Sequence, residues 1–222
     1  MRVAECRLDS LEELQLKYIE RDVPNLKPIV FSTPRLRKLT MDLYPESQQI
    51  VVPWAQLTNL TLNDSHSPES ALDILGRCPG LVQTSVSTVG WPQRPQAKTY
   101  YLALYHLRCL SLDFSREEPF FMSLLDYIFV PALEELCLDY GNTYRTPPWI
   151  EPHFTAFQQR SPHIARLELT YASLKSGDLK AVLQHARSLT HLKLNSCDDC
   201  FDDALIDALC YRNGAEPLVY TV

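Results

Sequence analysis

Glycine is scarce in this 222-residue chain: there are six, at positions 76, 80, 90, 141, 177 and 214, and no two are spaced G-x-G. That removes the turns on which dinucleotide-binding and phosphate-loop motifs depend. Basic charge is short as well. With 21 Lys and Arg against 27 Asp and Glu the net charge is −6, which argues against nucleic acid or an anionic membrane surface as partner. Long apolar runs are missing too. The most apolar stretch, residues 119–133, contains Asp126 and falls short of the roughly 20 residues a bilayer-spanning helix needs. Glu5, Arg7, Asp9, Glu12 and Glu13 interrupt the first twenty residues, so no signal-peptide core can be drawn. No histidine sits in H-E-x-x-H and no serine in G-x-S-x-G, leaving only a scattered catalytic constellation as a route to an enzyme. Seven cysteines, an odd number at irregular spacing, fit free thiols in a reducing compartment, hence a cytoplasmic or nuclear protein. Cys197 and Cys200 form a C-x-x-C, but tetrahedral zinc needs a second pair at standard spacing and none is present. No metal, cofactor or catalytic residue is expected.

What the chain does have is leucine, 35 residues, and their positions carry the pattern. The string L-x-x-L-x-L or a close variant starts at Leu11, Leu36, Leu57, Leu81, Leu107, Leu133, Ile164 and Leu189. Twenty of its 24 apolar slots are leucine, so chance composition is excluded. In a short strand the second and third motif residues point to one face and the residue between them to the other. One strand cannot bury that face alone; stacked copies bury it as a continuous ladder.

These eight copies resemble the leucine-rich repeat, whose unit is about 20 to 29 residues, and the resemblance spans essentially the whole chain. It implies an α/β fold: one curved solenoid over residues 1–222, with parallel short strands on the concave side and helices or extended segments on the convex side. Helices are expected over residues 67–78, 121–128, 152–160, 177–187 and 202–212, and extended backs near residues 27–31, 49–52 and 100–105. The phrases TPRLRKLTM, VPWAQLTNLTL and ALDILGRCPGL, with Cys197 in the eighth unit, resemble the repeat region of fungal F-box-like proteins. That resemblance implies substrate recognition for a ubiquitin ligase. Nothing before Leu11 has room for the F-box that would meet the ligase adaptor, and residues 1–10 offer no capping helix, so the chain is expected to be truncated at one or both ends.

The expected function is therefore non-catalytic protein–protein recognition; the alternative is a standalone repeat scaffold unrelated to ubiquitination. Outward strand positions in the middle repeats are small and polar, which suits an unknown protein or peptide ligand better than a polyanion. Two insertions, at residues 87–98 and 140–150, follow strands directly and should emerge on one edge. They carry Trp91, Arg94, Tyr144 and Trp149. Aromatics and arginine are typical of interaction hot spots, so these four, with Asp113 and Asp139 nearby, form the candidate partner-binding rim. The competing expectation is that the tryptophans pack down over the edge of the sheet.

Overall fold

The computed structural model describes residues 4–17, 29–42, 50–95, 101–114, 120–141, 149–203 and 205–206. Among them are thirteen strands in chain order: β1 (Ala4–Arg7), β2 (Glu13–Lys17), β3 (Ile29–Ser32), β4 (Lys38–Asp42), β5 (Ile50–Val51), β6 (Asn59–His66), β7 (Gln83–Thr88), β8 (Leu102–Ala103), β9 (Cys109–Phe114), β10 (Ile128–Phe129), β11 (Glu135–Asp139), β12 (Arg166–Thr170) and β13 (His191–Asn195). Three α-helices interrupt them: α1 (Pro68–Gly76), α2 (Glu151–Arg160) and α3 (Ser176–His185).

The fold is mixed α/β around one parallel eight-stranded sheet, in the order β2-β4-β6-β7-β9-β11-β12-β13, which follows the chain. Each strand belongs to one copy of the leucine motif. Pairing aligns equivalent motif residues across neighbouring strands: Leu14 lies against Leu39, Leu110 against Leu136, Leu167 against Leu192.

Backbone hydrogen bonding shows why the copies align. The carbonyl just after the first motif residue accepts two N–H groups from the next repeat. Glu12 O takes Arg37 and Lys38, Arg37 O takes Thr58 and Asn59, and Thr58 O takes Val82 and Gln83; Val82, Arg108, Glu134 and Ala165 continue the series. A turn precedes each strand. In seven repeats the first motif leucine donates its N–H to the carbonyl three residues back, as Leu36 does to Thr33 and Leu133 to Val130. Pro34, Pro79 and Pro131 sit in these turns, where a fixed φ and the missing donor cost nothing.

The ladder leucines of the six inner strands are buried in one continuous core. The ends differ. Leu14 and Leu16 in β2 are half-buried, and Leu192 in β13 is 38% exposed rather than buried with the rest. Among the described residues each of those strands has a neighbour on one side only, so only one side of the ladder covers its side chains.

Behind the sheet the layer varies. β1, β3 and β5 form a second parallel sheet behind the early repeats, and β8 pairs with β10 behind the middle ones. α1 starts where expected: Ser67 accepts a hydrogen bond from Ser70 N at 3.2 Å and Pro68 occupies the first turn. α2 and α3 also form where expected and pack on each other, with the buried Gln158 donating to Val182 O at 3.1 Å. The helix expected over residues 121–128 is instead a short 3-10 turn, Met122–Tyr127, running into β10. Phe121, Leu124, Leu125 and Ile128 are all buried as their spacing demands. Pairing of Ile128 with Leu102 requires extended backbone where an α-helix would continue. Of the helix expected over residues 202–212, only the start is described: Asp202 accepts from Leu205 N at 2.7 Å and thereby caps it.

Candidate functional site

The side of the sheet opposite the ladder carries no described element. Its residues are the motif positions between and beside the buried ones, in three rows that cross the strands. At the two ends charged residues pair across neighbouring strands. Lys38 Nζ lies 3.9 Å from Glu13, Arg166 donates to Glu135 at 2.8 Å, and Lys193 donates to Glu168 at 2.6 Å. Asn195 adds a second donor to Glu168 at 3.0 Å. The carboxylate of Glu168 in turn holds the Lys193 ammonium above its ordinary pKa through that hydrogen bond and charge.

Between these ends two of the rows are uncharged and small: Thr40, Thr61, Ser85 and Ser111 in one, Asn59 and Gln83 in the other, bonded to each other at 3.1 Å. The third row carries Asp42, Asp113 and Asp139. The two uncharged rows present hydroxyls and amides, able to donate and accept with no charge that would have to be desolvated.

Asp113 and Asp139 stand beside each other at the far ends of β9 and β11, in register. Asp139 Oδ1 accepts from Gly141 N at 2.9 Å, in a turn where Gly141 takes φ 66°, a left-handed conformation natural to glycine. Partial burial first, and the charge of Asp139 second, push the Asp113 carboxyl above its usual pKa.

The two tryptophans of the expected rim are not on the surface. Trp91 is 7% exposed and Trp149 8%. Trp91 lies 5.4 Å from the Tyr127 ring and donates its indole N–H to Glu69. Trp149 joins the buried ring cluster of Phe114, Phe121 and Tyr140 to Phe154, with centroids 4.8 to 6.4 Å apart. Offset and edge contacts of this kind add to the burial of large apolar rings, so both tryptophans pack down onto the core. Arg94 is exposed. Tyr144 lies outside the described residues. Sequence reasoning missed the ring cluster; the signal for it was the density of aromatics between Phe114 and Phe154.

The described thiols are poor nucleophiles. Burial pushes Cys78 up to about 12 and Cys200 up to about 11, and it also raises Cys109, Cys137 and Cys197. All five are therefore protonated near neutrality. Cys197, the residue that marks the eighth repeat, is buried with its Sγ 3.5 Å from Leu169 O, and Cys200 points its thiol at Cys197 O at 2.8 Å. Among the described residues no group of three His, Cys, Asp or Glu side chains is placed to hold a metal ion, and no helix is long and apolar enough to cross a membrane.

No protein-family model matches the chain, and no curated protein matches it in sequence.

Proposed function

We propose that this protein is a non-catalytic recognition module of the leucine-rich-repeat type, a solenoid that binds an extended protein or peptide segment along the open face of its sheet. One observation carries the reading: eight strands, aligned repeat by repeat, present one polar face that no described element covers. Between its ends two rows supply uncharged hydrogen-bonding groups in line, the arrangement that suits a polypeptide partner better than a polyanion. The likeness of its repeat phrases to those of fungal F-box-like proteins points to a ubiquitin-ligase substrate as the partner, in the cytoplasm or nucleus. A ligase adaptor enters only through an F-box.

Site-specific photo-crosslinking tests the face. A crosslinking residue placed at Ser85 or Ser111 should capture a discrete partner from cell extract, and the same residue at Lys180 on α3 should not. Ser111→Arg should abolish that adduct at an unchanged melting temperature. Capture from position 180 alone, or capture indifferent to Ser111→Arg, would rule out recognition by the open face. Whether the captured protein loses ubiquitin conjugates when this chain is depleted separates ligase recognition from simple scaffolding.

A further inference from the structure

The layer behind the sheet changes character between the third and fourth repeats. α1 is a helix, and the chain beside it is the two-residue strand β8. A helix with its side chains is about 10 Å across, and a strand is far slimmer. One flank of α1 therefore lacks the full-height neighbour that α3 provides for α2. A half-open cleft of about 470 Å³ remains there. One wall is the α1 stripe Glu69, Leu72, Asp73, Gly76 and Arg77, spaced i, i+3, i+4, i+7, i+8. Tyr101 and Leu102 face it. A Cβ at Gly76 would sit 3.6 Å from Leu102 Cδ1, so this glycine keeps the floor open without strain.

Leu72, Leu102 and Ala103 are the apolar part of the lining, and Glu69 and Asp73 are its two carboxylates. Asp73 and Arg77 neutralise each other at 2.6 Å. Glu69 accepts the neutral indole N–H of Trp91, and among the described residues no cation pairs with it. The Tyr101 residue is 54% exposed, and the Arg160 guanidinium lies 5.2 Å from its ring centroid over one face, so a second cation has only the face turned away from Arg160. We propose that this cleft binds a cationic side chain with an aliphatic stem, an arginine or lysine of a partner polypeptide. Its stem lies along Leu72 and Leu102 and its head lies against Glu69 and Tyr101. Long cationic side chains bury their stems in this way while the charge stays at the water boundary. The cleft lies behind the sheet, so the proposal stands apart from recognition by the open face.

The full-length chain is titrated with three capped peptides, acetyl-Ala-Arg-Ala-amide, acetyl-Ala-Lys-Ala-amide and acetyl-Ala-norleucine-Ala-amide. Binding is followed by NMR at the Trp91 indole N–H and the Gly76 amide. The two cationic peptides should give saturable shifts at both positions and the norleucine peptide none. Glu69→Gln retains an oxygen acceptor for Trp91 and should weaken binding about tenfold, one carboxylate contact's worth. Tyr101→Leu should weaken it by a smaller factor, as loss of one exposed cation–π contact does. Equal binding of norleucine would make the cleft a merely apolar hollow and overturn the proposal. Shifts that never saturate, or an unchanged affinity in Glu69→Gln, would overturn it too.

Discussion

Behind the first and second repeats the chain runs as strands β3 and β5; behind the sixth and seventh it runs as helices α2 and α3. The strands in front do not register the change. Arg37 O and Glu134 O, one in each region, accept the same pair of N–H groups from the next repeat at 2.8 to 3.0 Å. The front is thus set by backbone hydrogen bonds and two inward apolar side chains, and the back is free to vary. Length does not follow the back: 25 residues separate Leu11 from Leu36 across the strand β3, and 25 separate Ile164 from Leu189 across the helix α3.

If the helical region holds more of the core, truncating its largest buried ring should cost most. Phe154→Ala is expected to lose about 3 to 5 kcal/mol in urea unfolding. Phe31→Ala, half-buried behind the early repeats, should lose about 1 to 2 kcal/mol, in proportion to its smaller buried area. Equal losses would erase the distinction between the regions.

The same contrast runs from middle to edge. Leu136→Ala should cost about 2 to 5 kcal/mol through the cavity it leaves, and the exposed Leu192→Ala less than about 1 kcal/mol. A large effect at Leu192 would show that the last strand is covered in solution.

The extended region depends on local clips. Gln56 donates to Thr33 O at 2.6 Å and to Leu36 O at 2.9 Å, tying the third repeat's turn to the second's. Gln56→Ala should cost about 1 to 2 kcal/mol by thermal melting, the usual net worth of two such bonds. No measurable loss would mean that the turns hold without it.

The smallest effect concerns Asp113. Its pKa is raised in the folded state, so the folded protein holds the proton more tightly than the unfolded chain does. Stability from this group is therefore lost as pH rises from the ordinary carboxylate range through the raised value. Asp113→Asn should be slightly more stable than the native chain at pH 7, by less than about 1 kcal/mol because water screens the pair. The difference should vanish at low pH. Melting curves at pH 3 and pH 7 check the sign.

The strands were legible because their spacing reflects a backbone constraint: two apolar positions two residues apart mark a half-buried strand wherever they recur. The helix starts expected at residues 67 and 202 are where Ser67 and Asp202 accept backbone N–H groups. The segment from Phe121 to Ile128 misled because burial on both sides gives an i, i+3, i+4, i+7 pattern in any compact turn, and only its pairing with β8, some twenty-six residues earlier in the chain, decides its shape. The tryptophans were left with two readings, rim or packed edge, for a related reason. Composition marks Trp91 and Trp149 as sticky, but Glu69 and Phe154, distant in sequence or on another element, decide what they stick to. The two uncharged rows in the middle of the open face were legible residue by residue, but the cross-strand pairing at its ends needed the register.

The twice-used carbonyls make every joint in the sheet the same fitting. Val82 O offers Arg108 and Cys109 the seat that Arg108 O offers Glu134 and Glu135. Excising the stretch from Leu107 through Ala132 would bring Glu134 and Glu135 up to Val82 with their donors already in position. A gene encoding such a chain can lose or copy a whole unit in a single recombination and still deliver matching ends, and the width of the polar face then changes one strand at a time.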